Sequence, residues 1–219
     1  MKFKKILYLI FIFFFAFSNA SGNESFTFDV TEIEILEEGN KFLGKNGGKA
    51  ITENGITIYA ENFEYNKLKN ILYANTKVKV EDKSNNITIY TDKITYLKND
   101  EIIFTQDKSK LIKKNIIISA RSFEFNRSLN RFIAEGKVNI NDRDNDFFAQ
   151  SEKITYFINN EEIITTGKTT ATIDSKYEFY GSDITILRNK QELFSKNKSK
   201  IVDKNLTQYE FDHYVYFFK

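Results

Sequence analysis

The sequence predicts an all-β protein, and three observations carry that prediction. Phe and Tyr are abundant, at 22 and 12 residues, and proline is absent. Such a composition suits long paired strands, because each proline would remove a ladder donor. Apolar and polar residues alternate with a period of two, as in ITIYA at residues 56–60. The alternation also recurs: copies of one pattern begin at Phe26, Ile56, Ile87, Ile116, Phe147, Tyr177 and Leu206, in steps of 29 to 31 residues. The phrase AENFEYN at residues 60–66 returns as ARSFEFN at residues 120–126, two steps on. A fixed period in this range marks a repeat architecture, one supersecondary unit per copy.

The first twenty residues stand outside this pattern. Lys2, Lys4 and Lys5 precede an unbroken apolar run at residues 6–17, and Ser18-Asn19-Ala20 follows with small residues. This is the order of a secretory signal peptide, cleaved after Ala20. The run is shorter than the roughly 18–20 residues a membrane span needs. Residues 1–20 are therefore expected to be a signal peptide, and residues 21–219 one domain of about seven repeats with the last truncated. With three lysines gone, 29 basic residues face 30 acidic ones, so the apparent basicity belongs to the signal. A near-neutral, mixed surface offers nothing to nucleic acid. The chain has no cysteine, which excludes an acylated lipoprotein, a disulfide framework and a thiolate site.

Within the second copy Ile56, Ile58 and Ala60 share one face, and the apolar face resumes at Phe63 and Tyr65. That alternation slips by one residue, the mark of a bulge or corner. The residue before the slip is modest in size in six copies: Val30, Ala60, Thr91, Ala120, Ser151 and Gly181. A polar turn follows, such as NKLKN at residues 66–70, where Asn tolerates left-handed angles and caps its own turn. A second strand comes next, with Leu72, Ala74, Val78 and Val80, or Phe132, Ala134, Val138 and Ile140, expected to face inward. Each unit is thus a bent strand, a turn, a second strand and another turn. Lys77, Lys108, Lys137, Lys168 and Lys198 occupy one slot of the second strands. They read as an outward, solvated row that discourages unwanted sheet contacts.

No catalytic constellation emerges. The one histidine, His213, lies in the least regular copy, and the carboxylates fall in turns or in outward phase. Asp142, Asp144 and Asp146 have the spacing of a calcium loop, but neither the glycine nor the distal glutamate of an EF-hand follows. The expectation is a protein that is not an enzyme and needs no cofactor or metal.

The units ITIYAENFEYN…ILYANTKVKV and IIISARSFEFN…RFIAEGKVNI resemble the OstA-type repeat of lipopolysaccharide transport proteins. That family includes the periplasmic bridge protein LptA and the N-terminal periplasmic domain of the outer-membrane assembly protein LptD. The resemblance covers about residues 26–202. It implies a twisted β-jellyroll of two antiparallel sheets, open at both ends, whose apolar interior shelters lipid A acyl chains while the sugars face water. The interior positions it implicates are Ile56, Ile58, Phe63, Tyr65, Ile87, Ile89, Ile94, Tyr96, Ile116, Ile118, Phe123, Phe125, Phe147, Ile154 and Tyr156. The implied partners are lipopolysaccharide, other jellyroll components joined head to tail by β-augmentation, and an outer-membrane lipoprotein. The implied location is the periplasm. The signal peptide and the seventh copy, cut off at HYVYFFK, favour the LptD-type domain over LptA. The competing expectation is a surface β-solenoid, an adhesive or structural array with the same period.

Overall fold

The computed structural model describes residues 26–218, and the signal segment lies outside the described residues. The strands are β1 (Thr27–Leu36), β2 (Lys41–Ile51), β3 (Ile56–Ala60), β4 (Asn62–Asn66), β5 (Ile71–Asp82), β6 (Ile87–Leu97) and β7 (Ile102–Gln106). Then come β8 (Ser109–Lys113), β9 (Ile116–Ala120), β10 (Ser122–Asn126), β11 (Arg131–Asp142), β12 (Phe147–Phe157) and β13 (Glu162–Ile173). The last are β14 (Tyr177–Ser182), β15 (Thr185–Leu187), β16 (Glu192–Ser195), β17 (Ser199–Asp203), β18 (Gln208–Phe211) and β19 (Tyr214–Phe217). Every ladder among them is antiparallel. The expectation of antiparallel sheets is met, and the parallel coil of a β-solenoid is not what these residues form.

Each half-unit is either one long strand bent at its middle or two short strands broken there. Glu61 separates β3 from β4, and Arg121 separates β9 from β10. The nineteen strands form one hydrogen-bonded sheet folded along this line of corners. β3 pairs with residues 79–82 of β5, while β4 pairs with residues 71–75 of the same strand. The fold makes two layers that face each other over a single apolar core reaching from Phe26 to Phe218.

The small residues predicted at the bends lie there. Ala60 and Ala120 end β3 and β9, and the β1–β2 and β12–β13 registers shift just after Val30 and Ser151. At the first corner Gly48 has φ of 151°, and a Cβ there would lie 2.4 Å from the Asp29 carbonyl oxygen. Only glycine permits that approach.

One expectation needs correction: the second strands are bent as well. The β5–β6 register runs from Asn75↔Lys93 to Val78↔Thr91, so two residues bulge opposite one. Thr76 and Lys77 take φ of 69° and 55°, and Asp107, Lys108, Gly136, Lys137 and Gly167 also have positive φ. The lysine slot is therefore the second corner. Its five lysines are exposed, as expected, but because the chain turns there and not because the strand alternates. Lys77 bridges to Glu61 across the corner at 2.9 Å.

Turns line the opposite side in two rows. One row holds residues 52–55, 83–86, 114–115, 143–146, 174–176 and 204–207; the other holds residues 37–40, 67–70, 98–101, 127–130, 158–161 and 188–191. Asparagine works in them as the sequence predicts. The Asn66 and Asn126 side chains accept from the amides of Lys69 and Leu129 at 2.9 and 3.0 Å, and Asn70 and Asn130 take left-handed angles.

Candidate functional site

The interior between the two layers is the candidate site. Alternation turns one face of every strand inward, and the corners let that face follow the bend. All fifteen interior positions named from the sequence are buried, from Ile56 at 0% exposure to Tyr65 at 5%. Second strands complete the lining with Leu72, Val78, Val80, Phe132 and Ile140, all buried. Ile103 of β7 and Leu111 of β8, which sequence reasoning did not single out, are also at 0%. Each carries the alternation signal, but the third unit's second strand is interrupted between Gln106 and Ser109.

Aromatic rings gather at the two ends. At the β1 end Phe26 lies edge-on to Tyr65 and Tyr96 at 5.0 and 5.7 Å, and Phe28 stacks on Phe42 at 6.2 Å. At the other end Phe179 meets Tyr214 and Tyr216 at 5.5 and 5.2 Å, and Tyr177 meets Tyr216 at 5.5 Å. A cavity of about 210 Å³ opens at the β1 mouth, lined by Phe26, Phe28, Ile33, Phe42 and Tyr65 among others.

Along the corner side, buried hydroxyls replace the ladder bonds lost at the bend. Thr105 Oγ1 accepts from the Phe123 amide at 2.8 Å, and Thr165 Oγ1 accepts from the Ile184 amide at the same distance. Thr91 and Ser109 join the first of these, and Ser151 and Thr169 the second. Thr91 and Ser151, read from the sequence as small corner residues, therefore also supply hydrogen bonds.

The seam, where the two rows of turns meet, is joined by charge. Arg127 Nε donates to Asp82 Oδ2 at 3.1 Å, and its Nη2 donates to the Asn54 carbonyl at 2.9 Å. Asn54 in turn donates to Glu101. Farther along, Arg188 Nε donates to Asp142 Oδ2 at 2.5 Å, its Nη1 donates to Glu161, and Lys113 donates to Glu161 as well. Asp82 and Asp142 are each 1% exposed. Burial alone would raise the Asp82 carboxyl, but donation from Ser84 and Asn85 and the charge of Arg127 hold it below the usual aspartate range. Asp142 is lowered in the same way, burial being outweighed by Arg188 and Asn145, and Glu161 by Lys113 and Tyr156. The calcium-like spacing at Asp142 thus belongs to a turn whose first carboxylate is already engaged by Arg188, by Asn145 at 2.7 Å and by the Asp144 amide at 3.2 Å. Nothing in the sequence reading pointed to these clusters.

Two facing antiparallel layers around a continuous apolar interior define a β-jellyroll. The family described as "LptA/(LptD N-terminal domain) LPS transport protein" matches residues 57–192, well over half of the chain, and the chain belongs to that family. Its members are lipopolysaccharide transport proteins rather than enzymes. Among solved structures, the chain is similar to LptH of Pseudomonas aeruginosa, described as the LptA homologous periplasmic component of the lipopolysaccharide transport device. The identity is 14% and the TM-score 0.47, over 52% of this chain and 83% of that one. No curated protein matches the chain.

Proposed function

We propose that this protein carries lipopolysaccharide in the periplasm by sheltering the lipid A acyl chains inside the jellyroll while the sugars stay in water. One observation supports the reading above the others: the fifteen interior positions lie in a single uninterrupted apolar cluster between two groups of aromatic rings. Moving acyl chains from water into such an interior is favourable by about 0.8 kcal/mol per buried CH₂, so transport needs no covalent step from this domain. The ends suit head-to-tail joining to other jellyroll modules. Among the described residues β1 is paired on one side only, and it carries Ile33 and Ile35 at 51% and 57% exposure. At the far end Val215 and Phe217 of β19 are 55% and 70% exposed. Open edges of this kind accept another strand by β-augmentation.

The test is photo-crosslinking with purified rough lipopolysaccharide. A photoreactive phenylalanine analogue at Phe123, buried at 3%, is expected to label the lipid. The same analogue at Glu124, which faces outward and bridges to Arg131 at 3.1 Å, is expected not to. Equal labelling of both, or labelling of neither, overturns the proposal.

A further inference from the structure

We infer that lipid straddles this jellyroll through the seam between its two rows of turns, and that the Asp82–Arg127 and Asp142–Arg188 clusters are latches that must release for it to pass. The inference rests on the sheltering role proposed above. A glycolipid with its chains inside and its sugars outside has to cross one side of the trough. The corner side is closed by continuous backbone, since β5, β6, β11, β12 and β13 run unbroken through the bend. The seam has no such continuity: side chains hold it.

The interior also needs to widen. A drug-sized ligand already occupies a pocket of roughly 300–1,000 Å³, while the cavity at the β1 mouth holds about 210 Å³. The deeper lining residues, such as Ile89, Ile118 and Tyr156, are at 0% exposure. Two layers hinged at their corners gain room by parting at the opposite edge, and that edge is where the latches sit.

The latches are a designed repeat. Asp82 and Asp142 are 60 residues apart, as are Glu101 and Glu161, and Arg127 and Arg188 are 61 apart. Each cluster ties one row of turns to the other, with a buried aspartate at the strand end that leads into a turn of the first row and an arginine on the second. Such pairs suit a latch. Their mutual attraction is offset by the cost of removing both charges from water, so exchanging the carboxylate for an anionic phosphate on the passing ligand is near balance. An apolar seam of the same area offers no such exchange.

The experiment uses the full chain, which contains no native cysteine. Asn54→Cys with Glu101→Cys places thiols on side chains that touch across the seam, and a short bis-maleimide bridges them. The control is the same variant capped with a monofunctional maleimide. Both carry the photoreactive analogue at Phe123, and the readout is the rate of labelling by rough lipopolysaccharide. The bridged protein is expected to label at least tenfold more slowly than the capped one. A second variant, Asp82→Asn with Arg127→Gln, leaves one side-chain oxygen to accept from Ser84 and the Asn85 amide but removes the charge pair, and is expected to label severalfold faster than the unaltered seam. Bridged and capped proteins labelling at equal rates would place entry at the open ends and sink the inference, leaving the sheltering role intact. Failure of the unaltered seam to label at all would remove both.

Discussion

Thr165 shows how much a single hydroxyl does in this fold. Its side chain is fully buried, accepts from the Ile184 amide at 2.8 Å, and accepts from Thr169 Oγ1 at 2.8 Å. The strand breaks between β14 and β15 just where that amide would otherwise seek a ladder partner. Leaving a buried donor unmet costs about 1–3 kcal/mol, whereas valine matches threonine in shape. Thr165→Val is therefore expected to destabilise the protein by about 1–3 kcal/mol, lowering Tm by about 2–4 °C for each kcal/mol. Thermal unfolding followed by circular dichroism checks this. An unchanged midpoint would mean that the hydroxyl does not close the corner. Thr105, 60 residues earlier, holds the Phe123 amide in the same way, so Thr105→Val is expected to behave alike.

The strands themselves carry both what could be read in advance and what could not. In the first half of each unit the inward face passes from Ala60 to Phe63, an odd step that breaks the alternation and exposes the corner in the sequence. In the second half it passes from Ala74 to Val78, an even step, so two bulged residues leave the period undisturbed. That parity is why only one of the two corners was legible. The interior lining was legible because burial and alternation are the same signal. The seam was not, because Asp82 and Arg127 lie 45 residues apart and each looks like an ordinary turn charge. The terminal strands lead to a prediction of their own. If the open edge of β1 is a docking strand, placing charge on its exposed apolar positions weakens joining without touching the core. Ile33→Lys with Ile35→Lys is expected to abolish concentration-dependent association of the chain in light scattering. The fold should hold, since exposed substitutions usually shift stability by no more than about 0.5 kcal/mol each. Persistent association of that variant would move the docking surface elsewhere.

Across the whole molecule the two-unit period has a meaning beyond two turns of a 30-residue repeat. Corner hydroxyls and seam charges both recur at 60 residues, so each kind of staple repeats every second unit. This arrangement makes stability depend on pH in a defined direction. Asp82, Asp142 and Glu161 titrate below their ordinary values of 3.8, 3.8 and 4.5 in the folded chain. The unfolded chain therefore takes up protons first as the solution is acidified. The contribution of these groups is fully present above the ordinary values and is lost as pH falls through the lower folded ones. Unfolding in urea from about pH 7 to about pH 2 is expected to show little change from this source near neutrality and a steep loss below about pH 4.5. Asp82→Asn with Arg127→Gln removes one of the three carboxylates and should flatten that slope. Arg127→Gln alone leaves Asp82 buried without its cation and is expected to cost about 3–5 kcal/mol near neutrality, a deficit that shrinks in acid as the aspartate becomes protonated. An acid profile of the single variant parallel to that of the unaltered protein would show that Arg127 does not hold the Asp82 charge, and that the seam draws its stability from the apolar side chains beneath it.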